Sequence, residues 1–175
     1  SSAVAAEPVS AVATNQSTSW QYQVAPVPAW VLPLSLKKDA APSGEALQTL
    51  VFDRQIRVDD AGGESSYVHI RQRINNSSGL KQAGRLEIVV QPSYEQLDLH
   101  EVTLIRAGRT QSLYQADKME LLRQEGELSS SIYTGHLTLL QILEGLQVDD
   151  IIEYRYTRHG RNPVLGQSYS ESWSM

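Results

Sequence analysis

The chain has 175 residues, 41% of them hydrophobic and 20% charged, which is enough for one domain with a packed core. Its net charge of −5, from 15 basic and 20 acidic side chains, leaves no basic stripe to neutralise a phosphate backbone, so nucleic acid is not an expected partner. Cysteine is absent, which removes disulfides, thiolate metal sites and a cysteine nucleophile, and no apolar run approaches the roughly 20 residues of a membrane helix.

Ser1 to Ser19 carries a single charge, Glu7, and little to bury. It is expected to be a flexible leader, because so few contacts can offset its ordering entropy. The absence of an initiator Met is expected of a processed or engineered fragment, and is compatible with prior removal of a signal peptide. From Trp20 to Leu36 the residues Trp20, Tyr22, Pro26, Pro28, Trp30 and Pro33 predict an extended segment or an edge strand, since proline cannot donate to a ladder. Lys37 to Gly44 reads as a polar loop.

The body of the domain begins at Leu47. Leu50, Phe52, Ile56 and Val58 alternate with polar neighbours, Asp59 to Gly63 is a turn, and Val68, Ile70 and Ile74 alternate with Tyr67, His69, Arg71 and Arg73. The pair predicts a long hairpin. Asn75 to Gly84 reads as a loop, and Leu86, Ile88 and Val90 as a third strand ending near Pro92. Leu97 and Leu99 share one phase and Val102 and Leu104 the other, which predicts a β-bulge or two short strands. Gly108 turns the chain into a strand at Thr110 to Tyr114. Lys118 to Gln124 is ambiguous and fits a short helix, and Glu125 to Thr134 is a loop.

Leu137 to Leu143 has helical spacing at Leu139, Leu140, Leu143 and Leu146. Its short length and β-branched neighbours favour a strand. Asp149-Asp150 then turns into a strand at Ile151 to Thr157. Ile152, Tyr154 and Tyr156 fall on one face, expected to be buried, and Glu153 and Arg155 on the other, expected to be wet. Gly160 to Pro163 leads into a last strand, with Tyr169 and Trp173 on one face and Ser168, Ser170, Ser172 and Ser174 on the other. About eight short strands point to an all-β, antiparallel two-sheet sandwich over residues 20–175, with an extended N-terminal segment and under a tenth helix.

The order of these features resembles a family: the bacterial domain of unknown function found N-terminal to transglutaminase-like domains in exported proteins. The residues that carry the resemblance are Pro28-Ala29-Trp30-Val31, the hairpin from Val51 to Ile74, the turn Ala107-Gly108-Arg109, Leu146 to Tyr156, Asn162-Pro163 and Ser170-Glu171-Ser172-Trp173. At the turn where the family commonly has Gly-Asp, this chain has Asp149-Asp150. The resemblance implies an immunoglobulin-like sandwich, export to the periplasm or cell envelope, and a larger parent protein whose next domain follows the tryptophan.

Motifs for chemistry are sparse. A transglutaminase-like site needs a cysteine thiolate, which this chain lacks. Gly166-Gln167-Ser168-Tyr169-Ser170 departs from a nucleophile elbow, with Ser170 in place of the second glycine and a strand context. His69, His100, His136 and His159 have no paired spacing that would predict a metal site. Asp59, Asp60 and Glu64 surround two glycines, but too few oxygen ligands fall at calcium-loop spacing, and turn chemistry accounts for them. Asn75 to Ser78 and Asn15-Gln16-Ser17 match the glycosylation sequon, yet read as turn and loop residues.

Arg155, Arg158, His159 and Arg161 cluster beside Tyr154 and Tyr156 as a candidate anionic-ligand or peptide patch, set against a solvated strand end. The candidate partner interface is Tyr154, Tyr156, Arg158, His159, Tyr169 and Trp173. No catalytic residue, metal or cofactor is expected. The leading expectation is a non-catalytic module that supports or positions a following domain or a peptide. The alternatives are a hydrolase with an unrecognised site acting on protein or cell-wall peptides, and a carbohydrate- or surface-binding module.

Overall fold

A computed structural model describes residues 20–124 and 135–161. In chain order its strands are β1 (Gln23–Val24), β2 (Leu47–Val58), β3 (Glu64–Ile74), β4 (Arg85–Val90), β5 (Glu95–Arg106), β6 (Arg109–Ser112), β7 (Met119–Gln124), β8 (His136–Ile142) and β9 (Ile151–Gly160), with one helix, α1 (Ser77–Ala83), between β3 and β4. They form a wide sheet in the order β1-β5-β9-β3-β2, with β6 also paired to β5, and a narrow sheet in the order β4-β8-β7. The two sheets make an open sandwich. Every pairing is antiparallel except β1 with β5, which is parallel.

Alternation explains the core. Leu86, Ile88 and Val90 of β4 and Leu137 and Leu139 of β8 face Leu97, Leu99 and Val102 of β5 and Ile152 of β9, all buried in one cluster. β8 is the central strand of the narrow sheet. Leu140, on its back face, is buried too, which is why the run mimics helical spacing.

Local chemistry sets the turns. Asp59 Oδ1 accepts from the backbone N–H groups of Ala61 (2.9 Å) and Gly63 (2.7 Å), and Gly62 takes φ +82°. The acidic run is therefore turn structure. Ala107 (φ 49°) and Gly108 (φ 75°) close the two-residue β5–β6 hairpin, whose strands pair from Arg106 and Arg109. Asp149 sits at φ 75°, in the left-handed region that favours glycine, and Asp tolerates it better than most residues. The register of β5 on β9 shifts between Leu99 and Glu101, so the phase change is one bulged strand with His100 as the extra residue.

Three local expectations are corrected. Asn75 to Gly84 holds helix α1, because Asn76 Oδ1 caps it by accepting from Gly79 N (3.0 Å). Lys118 to Gln124 is not helical. A single 3-10 turn at Ala116–Lys118 leads into strand β7, which pairs along β8. After Gly108, the strand spans Arg109–Ser112 rather than reaching Tyr114.

The segment from Trp20 to Ala46 wraps the wide sheet. Trp20 Nε1 donates to Glu95 O (2.8 Å) and β1 pairs along β5. The chain then reaches β2, where the Gln55 side-chain amide holds both backbone groups of Leu32, at 2.8 and 2.9 Å. Arg71 binds Asp39, and Arg73 Nη1 donates to Ala40 O (2.5 Å). This strap covers the outer face of the wide sheet. Among the described residues, no helix is long and apolar enough to cross a membrane. The leader at Ser1 to Ser19, the loop at Glu125 to Thr134 and the last strand around Tyr169 and Trp173 lie outside the described residues.

Candidate functional site

The face of β9 that carries Glu153 and Arg155, expected to be wet, is instead covered at Glu153 and half-buried at Arg155. Glu153 is only 5% exposed. The register places it opposite Arg71 of β3 and Thr103 of β5, while Arg155 lies opposite His69 and Glu101. Side chains of like face therefore converge beneath the strap. Glu153 Oε1 accepts from His69 Nε2 (2.5 Å) and Arg155 Nη2 (3.2 Å), and Oε2 accepts from Arg71 Nη1 (3.0 Å). Arg71 also reaches both oxygens of Asp39, at 3.0 and 2.7 Å. Arg155 Nε is 3.3 Å from Glu101 Oε2 but off hydrogen-bond geometry, so that buried N–H has no partner.

Electrostatics follow the contacts. The hydrogen bond from His69 is the main cause that holds the Glu153 carboxyl down at about 2, with Arg155 and Arg71 adding to it against the opposing effect of burial. The Arg71 hydrogen bonds likewise hold Asp39 below the usual carboxylate range. Such a group stays ionised and is a poor proton carrier near neutral pH.

A second histidine lies on the same face. His100 Nδ1 is 2.8 Å from the Ala25 carbonyl, which only accepts, so Nδ1 carries the proton. Nε2 is 2.7 Å from Thr157 Oγ1, and the ring stacks on Tyr67 with centroids 6.1 Å apart. Burial pushes the His100 pKa down. Both ring nitrogens are engaged in holding strands together. His159 pairs with Asp98 at 3.2 Å, and that hydrogen bond pushes its pKa up. Among the described residues, no group of three or more His, Asp or Glu is arranged to hold a metal ion.

The candidate interface divides between the two faces. Tyr154 and Tyr156 lie on the inner face, half-buried against the core, with their rings 6.4 Å apart and 7° from parallel. Burial pushes the Tyr154 hydroxyl up to about 12. Arg158 Nη1 donates to Val89 O (3.2 Å), tying β9 to the narrow sheet. His159 is on the outer face with Asp98. Tyr169 and Trp173 lie outside the described residues.

Residues 60–175 match the family model described as "Domain of Unknown Function with solved-structure structure (DUF3857)". The chain belongs to the DUF3857 family. Among curated proteins, none matches it. Of solved structures, it is similar to a crystal structure of a protein from Parabacteroides distasonis described as a "putative protease", with TM-score 0.58 and 11% identity over 66% of this chain and 23% of that one. It thus spans about a quarter of that protein's length. A second match, with TM-score 0.37 and 10% identity, is the CBM3a-L domain with flanking linkers from scaffoldin cipA of the Clostridium thermocellum cellulosome, over 70% of this chain and 72% of that one. The first of these likenesses concerns the fold alone.

Sequence reasoning missed the ion cluster of this DUF3857 domain, whose signal was present. His69, Arg71, Glu153 and Arg155 recur at strand period 2 with opposite signs, but only the register brings them together. Sequence reasoning also missed where apolar surface stays open. Phe52, Ile56 and Val58 share the inner face of edge strand β2 and are exposed, Phe52 to 65%. Among the described residues, no strand of the three-stranded sheet covers them.

Proposed function

We propose that this DUF3857 chain is a non-catalytic, immunoglobulin-like sandwich module of an exported bacterial envelope protein, and that it positions a transglutaminase-like partner domain or a peptide. The observation that carries this reading is Glu153. It is the most buried acid of the outer face, both its oxygens are bonded by side chains of the neighbouring strand β3, His69 and Arg71, and its carboxyl is held at about 2. The densest cluster of ionisable groups is thus spent on fixing strands and strap, which supports a structural role over acid–base chemistry. Apolar side chains left open on the strap, with Leu32 at 72% exposure, offer contact area to a partner. The likeness to about a quarter of a longer chain supports the module reading. Location in the periplasm or envelope rests on the family resemblance.

The test has two arms. The purified chain is assayed for amide and peptide turnover, with none expected. A transglutaminase-like domain encoded in the same gene is then titrated against it by calorimetry, with binding expected. Turnover that disappears in His69→Gln would refute the non-catalytic reading. No binding to that domain would refute the positioning role.

A further inference from the structure

The bare inner face of β2 and the chain that leaves β9 are complementary. β2 is a twelve-residue edge strand whose inner face reads Phe52, Arg54, Ile56, Val58, all exposed. An edge of this length with apolar side chains invites pairing, and folded proteins usually cover such edges. The described chain ends at Arg161, just after Gly160, which pairs with Glu64, and Glu64 pairs with Val58. β9 therefore delivers the chain to the same end of the sheet as Val58. Arg161 already leans over the β2–β3 turn, its guanidinium 3.8 Å from where a side chain on Gly62 would begin.

We propose that residues 167–173 add to the free edge of β2 as a further antiparallel strand, with Trp173 opposite Phe52, Glu171 opposite Arg54, Tyr169 opposite Ile56 and Gln167 opposite Val58. This goes beyond the proposed function and does not depend on it. Three observations support it. The direction is right: β2 runs toward this end, so a chain starting here and returning runs antiparallel to it. The reach is right: the new strand lies three strand spacings from β9, roughly 14 Å at about 4.8 Å each, and the five residues 162–166 span up to about 17 Å. The chemistry is right: in this register each aromatic meets an apolar partner and Glu171 meets Arg54, while the four serines face the other side.

The leader is the poorer occupant. It joins the described chain at Trp20, beside Glu95 of β5 on the opposite side of the sheet, and it contains no aromatic residue. The family match runs through Met175, so the tail lies within the same matched unit as β3 and β9.

The chain's lack of cysteine makes a clean test possible. The full chain is prepared as Arg54→Cys/Glu171→Cys and, as a control on the opposite strand face, as Arg54→Cys/Ser170→Cys, then oxidised mildly in dilute solution. Directly opposed strand residues meet disulfide geometry, whereas neighbours on opposite faces do not. The expected result is an intrachain disulfide forming roughly tenfold faster in the 54/171 pair than in the 54/170 control, because docking raises the effective concentration of the matched pair. Equal rates would overturn the register, and with it the strand. Disulfides only between chains would overturn it in favour of a second copy on this edge. A second readout uses Trp173 emission, taken by difference from Trp173→Phe. Phe52→Asp should increase its quenching by acrylamide, and unchanged quenching would overturn the Trp173–Phe52 contact. All these positions on β2 are exposed, so the variants retain the core.

Discussion

Replacing Glu153 by Gln removes the one carboxylate that His69, Arg71 and Arg155 share, and leaves the shape of the side chain nearly unchanged. Two routes give the cost. Breaking a buried ion pair by removing one partner costs about 3–5 kcal/mol. Arg71 keeps Asp39 and Arg155 keeps its proximity to Glu101, so the lower end applies, about 3 kcal/mol. Independently, a carboxyl lowered from 4.5 to about 2 contributes roughly 3 kcal/mol to folding at neutral pH. The sign follows from the lowered value. The contribution is complete above pH 4.5 and is lost as pH falls from there toward 2. Urea unfolding of wild type and Glu153→Gln at pH 7 should differ by about 3 kcal/mol, and the gap should close between pH 4.5 and 2.5. A loss below about 1 kcal/mol, or a gap that stays constant down to pH 3, would refute the view that this cluster holds the strands.

Other sites give sharper local tests. Ala107→Asn should stabilise the chain by about 0.5–1 kcal/mol in thermal unfolding, because Ala107 occupies left-handed backbone at φ 49° that Asn adopts more easily; a loss would mean the turn is set by something other than backbone preference. Gly160→Ala should destabilise by about 1–3 kcal/mol, since a methyl there would run into the Tyr94 carbonyl and force β9 away from β5. Leu139→Ala, at the middle of the narrow sheet and 1% exposed, should cost about 2–5 kcal/mol by leaving a cavity between the sheets. The two perturbed histidines oppose each other with pH. With His159 replaced by Asn, burial of neutral His100 should make stability decline as pH drops below 6.5; with His100 replaced by Asn, the His159–Asp98 pair should make it decline as pH rises above 6.5. Flat profiles in both variants, measured by chemical denaturation between pH 5 and 8, would contradict these assignments.

Much of the architecture was legible in local chemistry. Period-2 alternation marked the strands, the Asp59 to Gly63 and Ala107-Gly108 runs marked their turns, and the phase change between Leu99 and Val102 marked the bulge that now carries His100. These signals act within a few residues, so a linear chain displays them. Alternation also divided β9 correctly into an Ile152–Tyr154–Tyr156 face and a Glu153–Arg155 face. It could not say which faces are covered. The strap at Trp30 to Ala41 closes over Glu153 from more than a hundred residues away, and its Asp39 completes the cluster through Arg71. Conversely, among the described residues the apolar face of Phe52 and Ile56 is left exposed, because the narrow sheet there has three strands and the wide one has six. Burial of a face is a property of what packs on it, and for β2 and β9 that partner is set by sheet order and by a distant segment of chain rather than by their own residues.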